Sequence, residues 1–120
     1  MSNTSEPKNA YDLAERTAKF GEALIIFLKQ LPRDLITLKI IDQLARSGTS
    51  IGANYMEADG AESKKDFQHK IAICKKESKE TTYWLRMLAT TCPDKLNHCA
   101  QLKREAHELA LIFSAILRSQ

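Results

Sequence analysis

The chain has 120 residues and a mass of 13.6 kDa, with 43% apolar and 28% charged residues and only 4 Gly and 3 Pro; that is room for one globular domain and excludes a disordered or collagen-like polypeptide. Aromatics are only 7%, and Lys, Glu, Leu and Ala dominate, which favours helices over a β-sandwich. A net charge of +3 permits nucleic-acid contact without requiring it, and the longest apolar run, Ala23 to Leu28, is far short of the roughly 20 residues that cross a bilayer.

Residues 1–10, MSNTSEPKNA, are polar and unpatterned, and are expected to form a frayed tail. They carry no apolar signal segment, so the expected compartment is the cytoplasm. Residues 11–120 are expected to form the folded domain. A first helix begins near Asp12, where Asp12 and Glu15 have capping-box spacing. Its inward stripe is Leu13, Thr17, Phe20, Leu24, Phe27 with Leu28, and Leu31, in steps of three and four, and Pro32 ends it.

A second helix is expected to open at Pro32 to Asp34, with Pro in its first turn. Its stripe runs through Leu38, Ile41, Leu44, Gly48, Ile51, Tyr55 and Ala58. Because that register survives Ser47 to Gly52 unchanged, the sequence predicts one long helix through both glycines, closed at Gly60. A third helix follows Ser63. Phe67, Ile71, Cys74, Ser78, Thr81, Leu85 and Leu88 keep a heptad repeat, and Pro93 closes the helix. A fourth starts near Asp94, with Leu96, Cys99, Leu102, Ala106, Leu109, Phe113 and Ile116 facing inward. Short connections between four consecutive helices imply an all-α, antiparallel up-down-up-down four-helix bundle.

Chemical signatures are absent from this pattern. Three cysteines, Cys74, Cys92 and Cys99, form no CxxC pair and are expected as free thiols. His69, His98 and His107 lack the Glu-x-x-His partners of a di-iron bundle and read as surface histidines, so neither metal nor cofactor is expected. RSGTSIG lacks the G-K-[ST] ending of a phosphate loop and lies in a helical register. No nucleophile motif is present, and a non-enzymatic protein is expected.

Two surfaces stand out instead. Between Lys64 and Arg86 there are seven bases against three acids, so this segment alone carries more charge than the whole chain. Lys65, His69, Lys76, Lys79, Tyr83 and Arg86 fall on one stripe suited to tracking a phosphate backbone, with Tyr83 able to stack on a base, although Glu77 and Glu80 interrupt the field. The competing reading is a solvated face that keeps the protein soluble. The second surface is the polar ridge of RSGTSIGANYMEADG. Ser47, Ser50, Asn54 and Glu57 flank the core seam, either as a buried network with partners such as Arg46 or Glu80 or as a contact with another subunit. Of the neighbours Tyr83 and Trp84, at least one must point away from the core.

YDLAERT, the Leu-Pro break, RSGTSIGANYMEADG, SKKDF and ICKKESKETTYWLRML together resemble the 23S rRNA intervening-sequence protein family over Tyr11 to Leu88. The resemblance implies a small bundle that assembles as a ring-shaped homopentamer, with no established catalytic residue. The family's R-S-x-x-S-I-x-x-N-x-x-E pattern falls on Arg46, Ser47, Ser50, Ile51, Asn54 and Glu57, and its acidic position in the third helix on Glu80. Where many members have Pro, this chain has Gly52. The resulting expectation is a homo-oligomer whose basic surface engages RNA or another nucleic acid; the alternative is a protein-interaction module whose charge is incidental.

Overall fold

The computed structural model describes residues 12–119, so the expected frayed tail lies outside the described residues. Four helices make up most of the described chain: α1 (Leu13–Leu28), α2 (Leu35–Asp59), α3 (Lys64–Thr91) and α4 (Leu96–Arg118), with a 3-10 turn over Pro93–Lys95 and no strand among the described residues.

Local chemistry explains most of the boundaries. Asp12 accepts from the Glu15 amide, Asp34 from the Thr37 amide and hydroxyl, and Ser63 from the Asp66 amide, so three helices start on a side-chain cap. The α4 helix has no such cap and is led in by the Pro93 turn. Two expected boundaries are corrected. The α1 helix stops at Leu28, short of Pro32: the amides of Gln30 and Leu31 bond three residues back, to Phe27 and Leu28, so the α ladder tightens into a turn before the proline, which disfavours the α region at Leu31. Pro32 accordingly lies outside α2, whose cap is Asp34.

The predicted stripes of α1 and α3 are inward at every position, with only Phe67 partly exposed, and α2 runs unbroken through Gly48 and Gly52. Two predicted core positions turn outward. Leu38 yields to Thr37, whose hydroxyl is satisfied by Asp34 and which is therefore fully buried at no polar cost. Leu96 is 58% exposed, since the 3-10 turn sets the start of α4 and Cys92 and Cys99 take the interior there.

α3 lies between α2 and α4 and packs extensively on both, whereas α1 packs chiefly on α2 and touches α4 only lightly. Gly48 makes the α1–α2 approach possible: a Cβ there would overlap the Leu24 side chain. The result is a slab of about 44 × 33 × 20 Å around one continuous apolar core that all four helices share.

Candidate nucleic-acid interface

The α3 helix continues for 28 residues without interruption, so residues three and four apart stay on one side over its whole length. Lys65, His69, Lys76, Lys79, Tyr83 and Arg86 are all exposed along that side. The stripe from Lys65 to Arg86 is about 30 Å long at 1.5 Å per residue. None of its four Lys and Arg residues takes part in an ion pair among the described residues.

Of the acids expected to interrupt this field, Glu77 is buried away from it, whereas Glu80, one turn from Lys76 and Tyr83, borders it with its carboxylate paired to Arg46. Glu77 and Glu80 lie on the shoulder of α3 that meets α2, where Arg46 donates to both, to Glu77 at 3.2 Å. Glu80 also accepts from the indole Nε1 of Trp84 at 2.9 Å. Glu77 is buried, a placement its charge would have argued against in the sequence; the Arg46 guanidinium makes it tolerable. The same sorting occurs on α4. Glu105 and Glu108 turn toward α1, where Arg16 donates to Glu105 at 2.7 and 2.9 Å and to Glu108 at 2.8 Å. Those carboxylates, Glu105 foremost, raise the Arg16 guanidinium above its ordinary pKa against the opposing effect of its burial. Two arginines on α1 and α2 thus pair with four acids of α3 and α4.

The polar ridge of α2 resolves into separate contacts instead of one network. Ser47 is fully buried and shares a 2.9 Å hydrogen bond with Thr81 of α3, whose hydroxyl also lies 2.8 Å from the Glu77 carbonyl. Asn54 does not reach Arg46 or Glu80; its amide donates to the Ser50 carbonyl one turn back. Glu57 likewise pairs elsewhere, with Lys70 at 2.6 Å, and raises the pKa of that ammonium. Asn54 and Glu57 are too far along α2 to share a partner with Arg46, because the facing α3 residue falls back by a turn with every turn gained along α2, from Thr81 opposite Ser47 to Lys70 opposite Glu57. The spacing of Glu77 and Glu80, one helical turn apart, was the sequence signal for a shared cation; what it lacked was the identity of the facing helix.

Tyr83 is the outward member of its pair at 52% exposure, with its ring 5.0 Å from that of the half-buried Trp84 in an edge-on arrangement. Nucleophilic chemistry has no support in the thiols: all three cysteines are free and buried, and burial pushes Cys74 up to about 12 and Cys99 to about 11. Among the described residues no three His, Cys, Asp or Glu side chains gather as a metal site, and no helix is long and apolar enough to cross a membrane.

The family model for the 23S rRNA-intervening sequence protein matches residues 9–115. Among solved structures, the chain is similar to a protein of unknown function from the S23 ribosomal protein family of Bacteroides thetaiotaomicron. The two are 28% identical and superpose with a TM-score of 0.81, over 92% of this chain and 98% of that one. No curated protein matches.

Proposed function

The chain belongs to the 23S rRNA-intervening sequence protein family, and from that premise we propose that it is a non-enzymatic cytoplasmic protein, a homo-oligomeric up-down-up-down bundle that binds structured RNA through the outer face of α3. The observation that carries the RNA reading is the sorting of charge: Arg46 pairs with Glu77 and Glu80, and Lys65, Lys76, Lys79 and Arg86 are left exposed without carboxylate partners among the described residues. A cationic stripe of this length, with His69 and Tyr83 set into it, suits contact with successive phosphates and stacking on one exposed base. The helix order is supported by its contacts, since Thr17 meets Gly52 while Gly21 meets Gly48, and Ser47 meets Thr81 while Glu57 meets Lys70. Oligomerisation is supported by large apolar side chains left in solvent, Ile26, Leu35, Ile36 and Met56 among them. The number five comes from the family resemblance.

Filter binding of a structured RNA tests the reading. Replacing Lys65, Lys76, Lys79 and Arg86 together by Gln is expected to leave the helical fold intact and weaken RNA binding. The dependence of log affinity on log salt should flatten by about 3 to 4 if all four side chains touch phosphate. An unchanged affinity in the quadruple variant, or no RNA binding by the parent at low salt, would favour the protein-interaction module.

A further inference from the structure

We propose that the groove between α3 and α4 is a binding site for a small amphipathic carboxylate, an organic anion with a hydrocarbon body. The groove holds about 350 Å³, at the lower end of the range of roughly 300–1,000 Å³ that accommodates small ligands. Its floor is apolar, formed by Leu85, Ala89, Leu96 and Ala100, and Leu96 stands in it with more than half its surface uncovered. Its rim is cationic. Arg86 comes from α3 and Lys103, Arg104 and His107 from α4, and no Asp or Glu lines the groove.

That asymmetry follows from the charge sorting described above. The α4 helix carries Glu105 and Glu108 next to Lys103, Arg104 and His107, and an isolated helix would let them neutralise one another. Arg16 takes both acids to the α1 side, so the bases facing α3 have no internal counterion among the ion pairs of the described residues. An occupant must therefore bring a negative charge for the rim and apolar surface for the floor. Two guanidiniums, Arg86 and Arg104, offer the fork geometry that a carboxylate accepts in bidentate fashion. A nucleic-acid backbone would satisfy the rim and leave Leu96 and Ala100 uncovered. The site is thus distinct from the α3 stripe and shares only Arg86 with it.

Decanoate below its micellar concentration, titrated into the full chain and followed by methyl NMR, tests this. The methyl signals of Leu85, Ala89, Leu96 and Ala100 are expected to shift together. The fitted affinity should fall at least tenfold in the double variant Lys103→Gln with Arg104→Gln, and in Ala100→Trp, which fills the floor. Decanol, uncharged with the same chain, should bind at least tenfold more weakly than decanoate. Circular dichroism confirms that each variant retains the parent's helicity. The proposal is overturned if decanoate leaves these methyls unmoved, if it shifts Ile25 and Met56 in the α1–α2 groove instead, or if decanol or the double variant matches the parent with decanoate. RNA binding is measured separately on the α3 variants, so either reading can fail without the other.

Discussion

Arg46 shows how one side chain can set the electrostatics of a whole surface. It is 45% exposed, yet it compensates Glu77, whose side chain is only 10% exposed, and it also holds Glu80 and through it the Trp84 indole. Removing the cation leaves a carboxylate in a largely dry position, which costs more than the net value of the pair. Arg46→Met is expected to destabilise the fold by about 1–3 kcal/mol in urea unfolding. Adding Glu77→Gln should recover part of that loss, since the uncompensated charge is gone; additive effects of the two changes would mean that the pair is not coupled. At the same scale, burial keeps the proton on Cys74 up to about pH 12, whereas a thiol freed by unfolding loses it near 9. Above pH 9 the native state therefore binds more protons than the unfolded chain, and this contribution to stability, complete below pH 9, is lost as pH rises toward 12. At pH 8 the native protein should resist a thiol-reactive dye at Cys74, and react fully once unfolded.

At the scale of elements, the α1–α2 pairing depends on where glycine sits and where it does not need to. Gly21 and Gly48 are both buried in this contact, but the space around them differs. A Cβ at Gly21 would meet its nearest neighbours at 4.0 Å, ordinary contact, so Gly21→Ala should gain helix propensity and stabilise by up to about 1 kcal/mol. A Cβ at Gly48 would overlap Leu24, which has no exposed surface and nowhere to move. Gly48→Ala is expected to destabilise by about 1–3 kcal/mol despite the same propensity gain. Thermal melts that shift the two variants in the same direction would refute this account of the interface. The long α2 helix thus tolerates its glycines because one of them is required for close approach, and Asp34 at its start offsets part of their conformational cost.

For the molecule as a whole, the slab leaves apolar surface at the α1 end of the fold that its own core cannot cover. Ile26 and Ile36 are each 61% exposed and Leu35 is 71% exposed. A chain of this size gains stability by burying such a surface against a copy of itself. Light scattering at micromolar concentration is expected to give a multiple of 13.6 kDa. The double variant Ile26→Lys with Ile36→Lys should shift the mass toward the monomer while keeping the helical circular dichroism signal. A monomeric parent would remove the oligomer from the proposal. Association would also repeat the α3 stripe around the assembly, so RNA affinity in the proposed function should fall with dissociation even though no stripe residue has changed.

What the amino-acid sequence determined by itself is the local part of this structure. Apolar positions at three-four spacing marked the inward faces of α1 and α3, Asp12 and Ser63 marked two helix starts, and Pro93 marked the end of α3, because caps, prolines and helical periodicity act within a few residues of one another. The six residues of the basic stripe were legible for the same reason, as they share one uninterrupted helix. The tertiary structure alone decided the partners. Whether Glu77 interrupts the basic face or turns to Arg46, whether Glu57 meets Glu80 or Lys70, and whether Leu96 is core or groove all depend on which helix lies against each shoulder. Periodicity defines an angle around a helix axis and carries no information about the neighbour at that angle, so charge pairing between residues 31 or 89 positions apart is settled only when the helices pack.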